Sequence, residues 1–195
     1  MIKNILIIGP EFHNYNESIK KAFNENDIIA DLIVIPKWKY ANLYSRLVEK
    51  REYFNLRQIE SEIKKKLVQK KYEVVLFIKG NFINSELLRY IKNKSSVFLW
   101  LLDSVDNVIN ISNVLDQYEK IFVFEESDID KIRSRYNAQV YFLPIAADTN
   151  IYKPIANIDK EIDISFVGSL TDDRLKNLFE VIDNFGDKRI EIFGK

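Results

Sequence analysis

Short apolar runs alternate with segments of helical periodicity along most of the chain. Nearly continuous aliphatic runs are typical of strands that are buried on both faces of a parallel sheet. Between these runs, apolar residues recur every three or four positions, which is the spacing of an amphipathic helix. The pattern predicts six strands, at residues 2–8, 28–35, 72–78, 96–102, 120–124 and 139–143.

This alternation also predicts the fold class. Parallel strands need crossover connections, which are usually helices, and no tight hairpin signal separates the runs. We therefore predict an α/β protein with a Rossmann-like, doubly wound parallel sheet. The long charged stretch 41–71 is predicted to form one helix or two. N-caps are predicted at Asn16, Asn84 and Thr171, and a capping-box-like pair at Ser127 and Asp130.

The segment YFLPIAADTNIYKP, residues 141–154, interrupts the pattern of strands and helices. Pro144 and Pro154 restrict the backbone near its two ends. Beyond it, DISFVG predicts a further strand, which is followed by a helix and by the strand RIEIFG. One strand–helix–strand unit is too small to hold a core by itself, so we expect it to belong to a larger domain. The predicted organisation is a first domain at 1–152, a linker at 153–160 and an incomplete second domain at 161–195.

Composition narrows the class of protein. Lys and Arg together number 29, as do Asp and Glu, so there is no basic excess that would favour nucleic acid as a partner. The absence of cysteine excludes a disulfide framework and thiolate metal ligands, and it suits a reducing compartment. No HExxH motif, histidine-rich cluster or nucleophile elbow is present, so no metal site is predicted. The chain carries no signal-peptide pattern and no apolar run of transmembrane length, and we predict a cytoplasmic location.

A lysine-rich face lies on the predicted long helix, between residues 64 and 71. Glutamates at positions 60, 62 and 73 are interleaved with these lysines, which favours a solvated helix face. Peripheral contact with anionic lipid is the alternative interpretation. The sequence leaves the oligomeric state open.

The junction between the two predicted domains resembles that of a known family. The order of IFVF, ESDIDKIRSRY, VYFLP, IAADTNIYKP, a linker and DISFVGSLTDDR is similar to the domain junction of GT-B glycosyltransferases of the group 1 type. The spore-maturation (CgeB-like) branch is the most similar, because FLWLLDS resembles its fourth strand. Its looser LPxAxD motif is matched by Leu143, Pro144, Ala146 and Asp148.

This resemblance implies a function. The first domain would bind a hydroxyl acceptor, and the second would begin the domain that binds a nucleotide-sugar as co-substrate, with no other cofactor. GT-B enzymes continue through a complete second Rossmann-like domain, whereas this chain ends near that domain's second strand. We therefore expect the chain to be a truncated, inactive portion of a glycosyltransferase. A non-catalytic Rossmann-like binding module and a nucleotide-sugar epimerase of the same architecture are the alternatives.

Three candidates for catalysis lie in loops that follow predicted strands, where ligands bind in open α/β sheets. His13 is the only histidine and is a candidate general base for an acceptor hydroxyl. The resemblance supports this role, because some inverting GT-B enzymes keep a catalytic histidine after the first strand; a solvated side chain is the alternative. Asp103 and Asp106 follow an apolar strand and are candidates to orient His13 or to bind acceptor hydroxyls. Alternatively, they cap the next helix.

Binding candidates lie in the same loops and in the second domain. Glycine after a strand allows close approach of a ligand to the backbone, and a helix N-terminus attracts anions. Asp172 and Asp173 count against a phosphate at the last helix, because they already occupy its positive end. The predicted acceptor-binding residues are Gly9, Glu11, Gly80 and Asn81, and the predicted donor-binding residues are Gly168, Ser169 and Arg174.

Overall fold

The computed structural model describes residues 2–35, 50–80, 83–108 and 111–194, with side chains from residue 57 onward in the helix that begins at Lys50. The chain divides into two compact units, Met1–Asp148 and Thr149–Lys195. Six strands of the first unit are β1 (Asn4–Pro10), β2 (Ile29–Ile35), β3 (Val74–Ile78), β4 (Ser96–Leu101), β5 (Lys120–Val123) and β6 (Gln139–Phe142). Its described helices are α1 (Tyr15–Glu25), α2 (Lys50–Gln69), α3 (Ser85–Lys92) and α4 (Ser127–Arg135).

The six strands form one parallel sheet in the order β2-β1-β3-β4-β5-β6. The predicted Rossmann-like α/β class is therefore confirmed. The order reverses between β1 and β3, because the chain adds β2 on one side of β1 and all later strands on the other. This point of reversal is the switch point at which open α/β sheets bind ligands.

The buried strands explain why the apolar runs are nearly continuous. Every residue from Ile5 to Ile8 is at most 3% exposed, and β3 is buried along its whole length. Successive side chains point to opposite faces, so Leu6 and Ile8 join the larger hydrophobic cluster while Ile5 and Ile7 join the smaller one. Because both faces of these strands pack against apolar side chains, neither face carries a polar alternation.

Two of the predicted N-caps are confirmed. The Asn84 side chain accepts a hydrogen bond from the Leu87 N–H at 2.8 Å, and Thr171 accepts one from the Arg174 N–H at 3.4 Å. Both residues have extended backbone angles, which aim the side-chain oxygen at the free amides of the first turn.

Two other capping predictions are wrong. Asn16 lies inside α1, and its side-chain amide donates to the Pro10 carbonyl at 2.7 Å instead of capping the helix. Ser127 is the first residue of α4, and no side chain caps this helix. The N–H groups of Asp128 and Ile129 donate to the carbonyls of Glu125 and Glu126, so the first turn begins before Ser127 and Ser127 is not in the N-cap position.

The connections differ in regularity. The helix predicted within 41–71 is α2, and residues 36–49 lie outside the described part of the chain. Between β4 and β5 the weakly patterned segment forms three short 3-10 helices, Val105–Asn107, Ile111–Asn113 and Leu115–Gln117. Buried Val108, Ile111, Val114 and Leu115 anchor this segment to the larger cluster.

The second unit is a parallel strand–helix–strand, as the sequence predicts. It consists of β7 (Ile164–Val167), α5 (Asp172–Asn184) and β8 (Ile190–Phe193). None of its described residues is buried, and Phe179 and Val167 are 63% and 77% exposed. This agrees with the expectation that so small a unit cannot bury a core of its own.

The contrast between the two kinds of helix start is testable. Replacing Asn84 with alanine removes a cap, and we expect the free energy of unfolding to fall by about 1 kcal/mol. Replacing Ser127 with alanine removes no cap, and we expect a change of at most about 0.5 kcal/mol. Urea unfolding of the two variants measures both values, and equal losses would contradict the assignment of the caps.

Candidate active site at the carboxyl edge of the sheet

The loops after β1, β3 and β4 lie side by side because these strands are parallel neighbours. They carry His13, Gly80 and Asp103 respectively, so three of the predicted site regions share one edge of the sheet. Since β1 and β3 flank the switch point, this edge is the place where the fold opens a crevice.

The first loop is held close to α1. A Cβ atom on Gly9 would lie 2.5 Å from Asn16 Oδ1 and 3.0 Å from Ile78 Cβ, so a side chain does not fit there. Glu11 is exposed, and its N–H donates to the Ile35 carbonyl at 2.7 Å, which extends the pairing of β1 with β2. Gly9 thus allows α1 to pack against the end of β1, and Glu11 begins the exposed part of the loop.

His13 lies at the tip of this loop. Its backbone is left-handed, with φ of 48°, and its side chain is exposed. The imidazole packs against Phe12 and Tyr15, with ring centroids 4.6 and 6.1 Å away. Within the described part of the chain, no ion pair joins His13 to Asp103 or Asp106. The aromatic neighbours therefore orient the ring while leaving it open to solvent.

The turn after β3 has two consecutive residues in the left-handed conformation, Lys79 with φ of 70° and Gly80 with φ of 69°. The Lys79 N–H donates to the Trp100 carbonyl at 2.9 Å, and the Gly80 N–H donates to the Ile78 carbonyl at 2.9 Å. A Cβ atom on Gly80 would lie 2.6 Å from Leu99 Cδ1, so only glycine fits this turn. The predicted binding residue Asn81 lies outside the described residues.

Asp103 is paired with a residue that the sequence analysis did not single out. Lys79 Nζ lies 2.6 Å from Asp103 Oδ2, and the two side chains are 37% and 45% exposed. The pair joins the carboxyl ends of β3 and β4. Sequence pattern does not reveal the left-handed backbone that directs Lys79 towards β4, although Lys79 does precede a glycine at the end of a buried strand.

Stability does not account for a lysine at this position. A left-handed backbone costs a residue other than glycine about 1 kcal/mol. An ion pair between half-exposed side chains contributes roughly 0–1 kcal/mol. The ion pair therefore does not outweigh the strain, and asparagine or glycine would suit the turn better. Strain of this kind is concentrated at functional sites.

Asp106 is directed away from the crevice. Its Oδ2 accepts a hydrogen bond from Lys131 Nζ of α4 at 2.9 Å, and Lys131 also donates to Asp128 Oδ1 at 2.9 Å. The structure therefore brings Asp106 to α4, whereas Asp103 remains beside Lys79. The two carboxylates that the sequence grouped together have different partners.

Asp128 is the residue that fixes the loop after β4. It is fully buried, and it accepts hydrogen bonds from Ser104 Oγ at 3.0 Å and from the Val105 N–H at 2.9 Å. Burial alone would raise its pKa, but the hydrogen bonds from Lys131, Val105 and Ser104 outweigh this effect and lower the pKa. From the sequence, Asp103 or Asp106 was the expected cap of the helix that follows β4. Asp128 takes that role instead, although it lies more than twenty residues further along the chain.

The junction segment is tethered to the first unit at two points. Ser18 Oγ of α1 donates to Asp148 Oδ2 at 2.8 Å, and Trp100 Nε1 donates to the Leu143 carbonyl at 3.3 Å. Leu143 and Asp148 are two of the motif residues that carry the family resemblance. Their contacts hold the segment against α1 and β4 up to the end of the unit at Asp148.

The predicted donor-side residues lie together in the second unit. The Gly168 N–H donates to the Phe193 carbonyl at 2.9 Å, and Arg174 Nη1 donates to the Ser169 carbonyl at 2.9 Å. The guanidinium thus folds back on the loop between β7 and α5. Thr171 caps α5 at the same place, and Asp172 and Asp173 lie in its first turn.

The described residues hold no group of three or more histidine, cysteine, aspartate or glutamate side chains placed to share a metal ion. None of the helices in this part of the chain combines the length and the apolar character that a membrane span requires.

Comparison with known proteins gives a structural match. No family model and no curated protein matches the sequence. A lipopolysaccharide outer core galactosyltransferase, WaaB in its apo form, superposes with a TM-score of 0.61 at 15% identity, over 98% of this chain and 60% of that one. The chain therefore shares the fold of the part of that galactosyltransferase with which it superposes. A glycotransferase of kitacinnamycin matches with a TM-score of 0.48 at 8% identity, over 98% of this chain and 65% of that one.

The chain spans 60% of the length of the galactosyltransferase. At this level of identity the likeness concerns the fold and not the substrates. Within this fold, the loops at the switch point of the first sheet hold Gly9, His13, Lys79, Gly80 and Asp103, while Gly168, Ser169 and Arg174 belong to the second unit.

The buried carboxylate of Asp128 gives a prediction about pH. Because its pKa is lower in the folded chain than in the unfolded chain, its contribution to stability is present above about pH 4 and is lost as the pH falls through the folded-state pKa. We expect Asp128→Asn to lower the free energy of unfolding at pH 7 by about 2 kcal/mol, since hydrogen bonds to charged groups are lost. The difference between variant and parent should shrink below pH 4.

Urea unfolding between pH 3 and pH 7 measures this effect. Asp106→Asn is the matched control, because it removes only the exposed ion pair with Lys131 and should cost far less. A loss for Asp128→Asn that stays constant over the whole pH range would contradict the assigned role.

Proposed function

We propose that this chain is the acceptor-side domain, and the first part of the donor-side domain, of a GT-B type glycosyltransferase. The reaction would transfer a sugar from a nucleotide-sugar to a hydroxyl group of an acceptor. One observation carries the proposal: a complete parallel sheet is followed by a new parallel strand–helix–strand, and this order superposes on a galactosyltransferase over 98% of the chain. The LPxAxD motif that ends at Asp148 favours the spore-maturation (CgeB-like) branch. We also propose a cytoplasmic location.

The acceptor would bind in the crevice between β1 and β3. Gly9 and Gly80 let Asn16 and Leu99 pack closely against the ends of these strands, and this packing shapes the loops that would hold the acceptor. His13 would remove the proton from the attacking hydroxyl, because a neutral imidazole is a general base near neutral pH. The Asp103 carboxylate would accept hydrogen bonds from hydroxyl groups of the acceptor.

The donor would lie against the loop between β7 and α5. The free amides at the start of α5 and the Arg174 guanidinium are the groups that suit a diphosphate, and Arg174 would have to release the Ser169 carbonyl to bind it. Transfer then requires the leaving phosphate charge to be stabilised while the acceptor hydroxyl attacks the anomeric carbon. Because one strand–helix–strand offers only part of such a donor site, we expect little transfer by the 195-residue chain alone.

A transfer assay tests the proposal. The 195-residue chain and any longer product of the same reading frame would be incubated with a panel of nucleotide-sugars and simple glycoside acceptors. We expect sugar transfer by the longer product, and His13→Ala should lower its kcat by about 10²- to 10⁴-fold, the contribution of a general base. Ser127→Ala, which changes no candidate site residue and removes no cap, is the control and should leave kcat unchanged.

Other outcomes decide against parts of the proposal. Robust transfer by the 195-residue chain would contradict the expected inactivity. A longer product that binds nucleotide-sugars without transferring sugar would indicate a non-catalytic binding module. Epimerised sugar formed without any acceptor would indicate an epimerase.

A further inference from the structure

The conformation of Lys79 calls for an explanation beyond the fold. Four described residues other than glycine have a positive φ: His13, Asp27, Lys79 and Asn157. Aspartate and asparagine tolerate the left-handed region because their short side chains bond locally, but lysine has no such advantage. Lys79 and His13 both lie at the switch point. Two strained residues thus lie at the switch point, where open α/β sheets bind ligands, and the ammonium group of Lys79 contacts Asp103 at the end of β4.

Among the described residues of the first unit, those that follow the strands at the carboxyl edge carry mostly negative charges. Lys79 is the one lysine or arginine among the described residues 11–14, 79–80, 102–107, 124–126 and 143–148, which directly follow β1, β3, β4, β5 and β6 within the first unit. Lys131 reaches this edge from α4, but it contacts Asp106 and Asp128. The carboxylates of these described loops are Glu11, Asp103, Asp106, Glu125, Glu126 and Asp148.

The Lys79–Asp103 ion pair is electrically neutral and has bonding capacity left on both sides. The ammonium has three donors and uses one direction for Asp103, while Asp103 Oδ1 makes no hydrogen bond with a described residue. A donor and an acceptor therefore lie side by side at the crevice. Neighbouring hydroxyl groups of a sugar ring match this arrangement, because each hydroxyl both donates and accepts.

We propose that Lys79 and Asp103 form one specificity element that selects a neutral, polyhydroxylated acceptor over an anionic one. The ammonium donates to one hydroxyl oxygen, and the carboxylate accepts from the adjacent hydroxyl. A phosphorylated or carboxylated acceptor is disfavoured because Asp103 already neutralises Lys79 and the flanking carboxylates repel the anion. This inference extends the proposed function and depends on it, because a sugar bound here is an acceptor only if the chain takes part in sugar transfer.

Titration of the 15N-labelled 195-residue chain tests the inference by NMR. The neutral probes are the methyl glycosides of glucose, galactose and mannose, and the anionic probe is glucose 6-phosphate. We expect at least one glycoside to shift the amide signals of Gly80 and Asp103. The dissociation constant of glucose 6-phosphate should be about tenfold higher, because one hydrogen bond to a charged group is replaced by repulsion. Failure of every neutral probe to shift these signals, or preference for glucose 6-phosphate, would overturn the inference.

Variants separate the role in binding from a role in folding. Lys79→Gly relieves the backbone strain, so its Tm should equal or exceed that of the parent, while glycoside binding should weaken about tenfold. Asp103→Asn leaves the Lys79 charge without its partner, so it should weaken glycoside binding and strengthen binding of glucose 6-phosphate. Unchanged glycoside binding by Lys79→Gly would overturn the inference.

Asp27→Gly is the matched control. It introduces glycine at a left-handed backbone with φ of 60° in the turn between α1 and β2, so Tm should stay close to or above that of the parent, and glycoside binding should not change. Failure of the inference is distinguishable from failure of the proposed function. Sugar transfer with a preference for anionic acceptors would contradict only the proposed selectivity of Lys79 and Asp103. Glycoside binding at Lys79 and Asp103 without sugar transfer by any longer product would contradict only the proposed transferase activity.

Discussion

The structure depends on the parallel pairing of β1 with β2 on one side and with β3 on the other. This pairing buries β1 on both faces and reverses the direction in which strands are added. It therefore fixes the core and the switch point at the same time: the core packs along the strands, and the switch point, where open α/β sheets bind ligands, lies between the ends of β1 and β3. The candidate site is a consequence of strand order and needs no separate scaffold.

Close backbone packing shapes the loops at this switch point. Gly9 lets α1 approach β1, and Gly80 lets the turn after β3 lie against Leu99. Neither position has space for a Cβ atom, so glycine is required at both. Asp128 holds the loop after β4 from within the protein, through hydrogen bonds to Ser104 and Val105. His13, Lys79 and Asp103 lie in or next to these three loops, at the carboxyl edge of the sheet.

Much of the fold was predictable because burial leaves a direct trace in the sequence. A strand that is covered on both faces must be apolar at every position, and six such runs, with helical spacing between them, leave few alternatives to a parallel sheet. The caps at Asn84 and Thr171 were predictable for a similar reason, since their hydrogen bonds span only three residues. Asn16 and Ser127 were predicted wrongly, because tertiary packing at Pro10 and backbone bonds at the start of α4 replaced the local cap.

The sequence by itself determined the strands, most of the helices and the glycines at the ends of β1 and β3, because these features follow from local spacing and from burial. Only the tertiary structure decided which polar groups meet. Lys79 contacts Asp103 across 24 positions, and Asp128 bonds Ser104 across the same separation. Such pairs depend on strand order and on backbone angles that leave no periodic signal. The physical reason is that hydrophobic burial constrains every residue of a strand and so produces a local sequence pattern. A single ion pair depends instead on where two loops that are distant in the sequence come together.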